Sequence, residues 1–297
     1  MVFPFTRTCG VGLLTLGAAL AFAPAGAWAQ ATAPATTGVT IDGNYGPFLP
    51  TDVSETGWQV DRLIHVLHWF MAILFFGWGA FFVYCLVRFR QGAAREADAR
   101  PVKASVTKWL EAGVAVFEAV LLLGFSMPLW AMTKNQIPPP DDASVFRVKV
   151  VAEQFMWNFH YPGPDGVFGR TAPQFVNTVT NPVGVDPDDS AGADDITAGE
   201  LHFPVGRTVV AELTSKDVIH SFFLPVMRVK QDVIPGMRIP VWFKARKTGT
   251  YEVACAQLCG NNHYSMRALM IIEPDEQAFE TWLRSRQPEE FDEEAFD

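Results

Sequence analysis

The sequence predicts a two-helix transmembrane hairpin carrying an antiparallel all-β sandwich or barrel. Two apolar stretches, Leu63 to Val87 and Trp109 to Met132, each exceed the roughly 20 residues that an apolar helix needs to span a bilayer. After Pro138-Pro139-Pro140 the pattern changes to short segments of alternating polarity, such as Phe-Arg-Val-Lys-Val-Val-Ala from 146 and Ala-Leu-Met-Ile-Ile-Glu from 268. That period belongs to half-buried strands. Mean hydropathy is slightly positive, as expected of membrane segments diluted by a water-soluble domain.

Taken in order, the chain opens with Arg7, an apolar run from Val11 to Phe22 and Ala27-Trp28-Ala29. These are the parts of a secretory signal peptide, 1–29, with the mature chain starting at Gln30; the alternative is an uncleaved first helix. Residues 30–57 are rich in Thr, Ala, Pro and Gly and read as an extended periplasmic segment. The hairpin follows over 58–135, with helices at about 63–87 and 109–132. Its connecting loop carries Arg88, Arg90, Arg95, Arg100, Lys103 and Lys108 against Glu96 and Asp98. The positive-inside bias puts that loop in the cytoplasm and both ends of the hairpin outside. The β domain is expected over 142–275, interrupted by a Gly-, Pro- and Asp-rich surface insertion at 162–199. A short amphipathic helix and an acidic tail, 276–297, end the chain.

The 297 residues carry a formal net charge of −9. This argues against a nucleic-acid partner and for a basic protein partner wherever charge guides docking.

Residues 255–266 read Cys-Ala-Gln-Leu-Cys-Gly-Asn-Asn-His-Tyr-Ser-Met. Cys259, His263 and Met266 have the tight spacing by which a sandwich holds a blue-type copper, which also needs a second histidine. His220, in Asp-Val-Ile-His-Ser, supplies one. Cys255 is a thiolate beyond what one ion requires. Two sulfurs, two imidazoles and a thioether suffice for a pair of copper ions, which points to a binuclear electron carrier. A Cys255–Cys259 disulfide or a zinc site would also use these cysteines, but neither needs the methionine. Cys9 and Cys85 lie in the leader and an apolar helix and take no part.

Three motifs carry a family resemblance: Lys-Asp-Val-Ile-His-Ser at 216–221, Lys-Gln-Asp-Val-Ile-Pro-Gly at 230–236 and the Cys-x3-Cys-Gly-x2-His-x2-Met loop. With the leader, hairpin and β domain they closely resemble subunit II of the haem–copper cytochrome c oxidases. The resemblance implies a cupredoxin-like Greek-key sandwich or barrel. It also implies a dinuclear copper A centre of two copper ions, held by His220, Cys255, the backbone carbonyl of Gln257, Cys259, His263 and Met266. By the same resemblance the chain is the electron-entry subunit of a proton-pumping cytochrome-c oxidase. It accepts electrons from a cytochrome c-type donor and passes them to haem in subunit I, where O2 is reduced to water. Partners would be subunits I and III, in a bacterial inner membrane, with the β domain periplasmic.

Some positions depart from the family pattern. Gln257 stands where the family has a glutamate that helps bind magnesium at the subunit I interface, which puts that magnesium ion in doubt. Phe155 stands at the tryptophan of electron entry, while Trp157 matches the second, structural tryptophan. A membrane-bound or dedicated cytochrome is therefore the expected donor. No Cys-x2-Cys-His follows, so the donor haem belongs to another chain.

Glu111 aligns with the family glutamate at the mouth of a proton path; the plainer reading is an interfacial carboxylate. Glu118 lies two turns deeper, where relatives commonly have proline. His65 and His68 read as interfacial or packing residues. Asp217 matches a family docking carboxylate, and Asp232 and the aspartates of 186–195 are further steering candidates. The rival function is a membrane-tethered copper carrier or assembly protein, which would use a more open site with fewer ligands.

Overall fold

The computed structural model describes residues 41–42, 49–92, 105–139, 142 and 144–286. The expected signal peptide, most of the 30–57 segment, Arg95, Glu96, Asp98, Arg100, Lys103 and the acidic tail lie outside the described residues.

Helix α1 spans Gly57–Arg88. Its return partner is α2, Ser105–Leu121, which runs through a π-helical turn, Leu122–Ser126, into α3, Met127–Lys134. Both are longer than the apolar runs, because the polar residues at each end continue the helix into the interface. The windows Gly57–Arg88 and Thr107–Lys134 are long and apolar enough to cross a membrane, and almost none of their surface is covered within the chain. Trp69, Phe75, Phe76, Trp78 and Trp109 are exposed. A core helix of a soluble protein would bury such side chains, whereas lipid solvates them. Phe70 of α1 meets Phe117 of α2 with ring centroids 4.5 Å apart.

The β domain is a sandwich of two five-stranded sheets. One contains β1 Phe146–Glu153, β2 Met156–Tyr161, β3 Ile196–Ala198, β5 Thr208–Ser215 and β8 Ile239–Lys244, in the order β3-β2-β1-β5-β8. The other contains β4 Leu201–Pro204, β6 His220–Leu224, β7 Val229–Val233, β9 Gly249–Cys255 and β10 Arg267–Glu273, in the order β4-β10-β9-β6-β7. The expectation of a wholly antiparallel domain is corrected: the pairs β1/β5 and β4/β10 are parallel, because the strands of each pair are joined through long crossing connections and not by tight hairpin turns. Alternate residues of β1 (Phe146, Val148, Val150, Ala152) point inward, and Phe159, Phe203, Leu213, Phe222 and Val253 fill the space between the sheets. Burying each such side chain contributes about 1.5–3 kcal/mol.

The segment read as an insertion is part of the domain. Residues 196–198 form edge strand β3, and Asp195 accepts a hydrogen bond from the buried His160 at 2.6 Å. Helix α4, Glu276–Ser285, is capped by Asp275, whose side chain accepts from the Ala278 amide. It docks through Phe279, Leu283 and Trp282, the last stacked on His202 at 3.8 Å.

The hairpin is tied to the sandwich. Arg228, in the left-handed region at φ 57°, donates to both oxygens of Asp61 in α1, at 2.6 and 2.9 Å, and to the carbonyls of Pro225 and Pro50. Lys134, the last residue of α3, donates to the Lys230 carbonyl and to the Gln231 side chain. His65 and His68 bond back to the carbonyls of Asp61 and Ile64 in their own helix, and both are exposed.

Candidate metal centre

Two neighbouring strands bring the candidate donors together across the sequence. His220 opens β6 and Cys255 closes β9, and these strands pair antiparallel, with Phe222 opposite Cys255. The loop leaving β9 is closed by backbone bonds from Cys255 to the Met266 carbonyl and from Ala256 to the Ser221 carbonyl. A short 3-10 turn, His263–Ser265, then delivers Met266 to the start of β10.

The donor atoms converge. Cys255 Sγ lies 3.9 Å from Cys259 Sγ, 4.0 Å from His220 Nδ1 and 3.2 Å from the Gln257 carbonyl. Cys259 Sγ lies 3.5 Å from His263 Nδ1 and 3.7 Å from Met266 Sδ. Met266 Sδ in turn is 3.2 Å from His220 Nδ1. His220, Cys255 and Cys259 form a group able to hold a metal ion. A disulfide is excluded, since its sulfurs would be about 2.05 Å apart. The observed sulfur separation instead fits two thiolates on a shared metal, which reach at most about 4.6 Å with metal–sulfur bonds near 2.3 Å. Two thiolates, two imidazoles and a thioether form a soft donor set, the kind that selects copper over hard cations. The residues present fit the implied group.

The electrostatics prepare the ligands. Burial pushes the Cys255 thiol up, but hydrogen bonds from His220, the Ser221 backbone and neighbouring groups outweigh it and bring the pKa down to about 6. Burial and the adjacent Cys255 charge push Cys259 up to about 11. Burial disfavours charge on His220, yet its bonds to Cys255 and Asp217 win and raise its pKa. Its Nε2 is 2.9 Å from Asp217 Oδ1. That bond fixes Nε2 as the donor and leaves the Nδ1 lone pair facing the sulfurs.

Asp217 is engaged on both oxygens, also accepting from the Gln154 amide at 2.7 Å and the Val218 amide at 2.6 Å. Burial raises its pKa, but these bonds prevail and hold it below the usual carboxylate range. Its side chain is 31% exposed, which leaves a face for a docking partner as well. The Gln154 side chain donates to the Cys259 carbonyl at 2.5 Å. Phe155 packs against Gly260, whose φ of 142° suits glycine and where an added Cβ would lie 2.9 Å from the Phe155 ring. Trp157 is buried, with its ring 6.2 Å from His220 and 5.6 Å from Phe222. Phe222 and Leu224 point into the core beside the site, whereas Phe223 points the other way, under Lys230.

The structure therefore gathers His220, Cys255, Gln257, Cys259, His263, Met266, Asp217, Phe155 and Trp157. Glu111 and Glu118 lie apart from it, on α2. Among the acidic steering candidates, Asp186 and Asp189 pair with Arg170, and Asp195 with His160. Asp232 is exposed on β7 opposite Ser221. Sequence reasoning missed Gln154 and Gly260; the only signals were an amide just before the aromatic pair and a glycine after the second cysteine.

This arrangement defines a β domain carried on two helices of membrane-spanning length, with a His/Cys/Cys group able to hold a metal ion. The family model for the periplasmic domain of cytochrome c oxidase subunit II matches residues 146–273. The chain is 33% identical over 82% of its length to the alternative cytochrome c oxidase subunit 2 of Bradyrhizobium diazoefficiens, covering 85% of that protein. It is 30% identical to cytochrome c oxidase subunit 2 of Thermostichus vulcanus, over 89% of this chain and 86% of the other. Among solved structures, the periplasmic domain of subunit II of the cytochrome oxidase of Bradyrhizobium japonicum is 29% identical, covering 51% of this chain and 96% of that one, with a TM-score of 0.36. The chain belongs to the cytochrome c oxidase subunit II family.

Proposed function

We propose that this chain is the electron-entry subunit of a respiratory cytochrome-c oxidase and holds a dinuclear copper A centre. The observation that carries the proposal is the convergence of two free thiols, two imidazoles and a thioether on one partly buried locus. His220, Cys255, Cys259, His263, Met266 and the Gln257 carbonyl would hold two copper ions. Bound there, the pair supplies a one-electron carrier in which charge is spread over both metals.

The chain's own residues do the rest. Asp217 orients His220, and Gln154 braces the Cys259 backbone. Phe222 and Trp157 exclude water from one side, which keeps the surroundings stiff and of low polarity. Phe155, touching the loop at Gly260, is the proposed point of electron entry. Its replacement of a tryptophan favours a membrane-bound or dedicated cytochrome c-type donor, with Asp217 steering it. Electrons would leave for haem in subunit I, where O2 is reduced to water and protons are pumped; subunit III is a further partner. Glu111, at the cytoplasmic start of α2, is proposed at the mouth of a proton path. Gln257 offers a neutral amide oxygen for magnesium, a weaker hold than a carboxylate. The hairpin would sit in a bacterial inner membrane with the sandwich on the periplasmic side.

A membrane-tethered copper carrier would need ligands open to exchange. His220 is fully buried and Met266 is 1% exposed, which favours a resident centre. Electron paramagnetic resonance of the full chain with copper is the test. A seven-line hyperfine pattern supports the proposal; a four-line mononuclear spectrum overturns it.

A further inference from the structure

Glu118 lies deep in the apolar length of the second membrane helix, and nothing in the metal site uses it. It stands eleven residues after Thr107 and sixteen before Lys134 in the membrane-spanning window, about 16 and 24 Å of helix. Phe117, its neighbour, contacts Phe70, near the midpoint of α1. Both carboxylates of α2, Glu111 and Glu118, are exposed. They are seven residues apart, two helical turns, and so share one face. The face turned toward α1 carries Phe117 and the buried Leu121; Glu118 is set about 100° round from Phe117.

Among the described residues the hairpin supplies no partner for it. The ionisable residues of α1 are Asp61, Arg62, His65, His68, Tyr84, Cys85 and Arg88. Of these only His68 lies close to the height of Phe70, among Trp69, Met71, Ala72 and Ile73; it is set about 200° round the helix from Phe70, turned away from α2, and its Nδ1 bonds the Ile64 carbonyl. No hydrogen bond or ion pair to Glu118 occurs among the described residues. A carboxylate in hydrocarbon is costly and almost always faces a protein interior or a water-filled cavity. A π-helical turn begins at Leu122, one turn further on, so the helix loses its regular register just where a neighbour would pack.

We propose that the Glu118 face of α2 is an intramembrane docking seam. Its partner is a transmembrane helix of another oxidase subunit that presents a cationic side chain, lysine or arginine, at mid-membrane height. The complementary charge and the hydrogen bonds replace the hydration that Glu118 loses. Glu111, on the same face, extends the seam to the cytoplasmic rim. The proposal rests on the reading of this chain as one subunit of a membrane oxidase.

The test uses the intact complex in its native membrane. A photo-crosslinking amino acid is placed at Ala115, one turn before Glu118 on its face, and separately at Val120 on the opposite face, with Glu118 itself unchanged. The expected result is a crosslink from position 115 to a partner subunit, mapping to a segment with Lys or Arg in its apolar span. Crosslinks from 115 to lipid only, or to a second copy of this chain, overturn the proposal. In parallel, Glu118→Leu and Glu118→Gln are compared by co-purification of the other subunits in mild detergent. Retention is expected to fall about tenfold for Glu118→Leu and less for Glu118→Gln; equal retention in all three proteins overturns the seam. The copper resonance spectrum of each variant separates the two readings. An absent binuclear signal in the parent chain removes the proposed function, whereas a normal signal with unchanged retention removes only the seam.

Discussion

Replacing Asp217 by Asn separates two roles for one carboxylate. In the structure Oδ1 faces His220 Nε2 at 2.9 Å and the Val218 amide at 2.6 Å, while Oδ2 accepts from the Gln154 amide at 2.7 Å. Asparagine keeps one acceptor oxygen and turns an NH2 toward the other side, so at least one of these donors faces another donor. Leaving a covered donor without an acceptor costs about 1–3 kcal/mol, and about 1.4 kcal/mol is tenfold in an equilibrium constant. His220 also loses the charge that orients it, a kind of change that typically costs 10–100-fold in metal affinity. Copper affinity of the Asp217→Asn chain should therefore fall by about tenfold or more. The assay is a chelator competition titration on the full chain in detergent, with the hyperfine pattern recorded at each point. A KM for a cationic cytochrome is then measured at low and high salt. Unchanged affinity and hyperfine pattern, with KM raised only at low salt, would refute the orienting role and leave docking alone.

Further expectations follow from the same contacts. Asp61→Ala should destabilise the junction of hairpin and sandwich by about 3 kcal/mol, because the Arg228 side chain, 7% exposed, loses the carboxylate that pairs with it; chemical unfolding in detergent would reveal it, and a change under 0.5 kcal/mol would mean the pair is dispensable. Gly260→Ala should weaken copper retention, since the new methyl would lie within 3 Å of Gln154 and Phe155; dialysis against chelator tests this. Phe155→Trp should speed reduction by soluble cytochrome c in stopped-flow mixing, and an unaltered rate would remove this position from the entry route. In copper-stripped chain, alkylation should discriminate the cysteines by pH. Cys255, lowered to about 6, reacts as thiolate at neutral pH and slows as pH falls through 6, while Cys259, raised to about 11, stays slow until strongly alkaline conditions. Mass spectrometry of the two labelled peptides reads the order, and simultaneous labelling at pH 7 would contradict it.

The sequence made the candidate ligand set legible because five of its six members crowd into one loop, and the sixth, His220, sits in a motif with its own signature. The two membrane helices were equally plain, since apolar length alone defines them. What stayed hidden were contacts between distant residues that carry no local pattern. Nothing near Arg228 announces Asp61, 167 positions away. The aspartates of 186–195 read as a solvated, steering face, yet three are committed to Arg170 and His160. Residues 196–198 were absorbed into an insertion because three residues are too few to show a strand period; pairing with β2 defines them. Asp217 read as a surface charge, since sequence shows its distance from His220 along the chain but not which way its oxygens turn.

On the proposed function, the grip of Lys134 on β7 bears on how far an electron must travel. Lys134 holds the chain at Lys230 and Gln231, and Val233, directly opposite His220, follows within three residues of the first contact, about 10 Å of strand. The height of the candidate metal site above the membrane-length helices is thus set by the Lys134 and Arg228 contacts with residues 228–231 more than by the tether at 137–139. Tunnelling falls off steeply with separation, so lengthening that tether by a residue or two should leave transfer speed nearly intact, whereas loosening Lys134 should not.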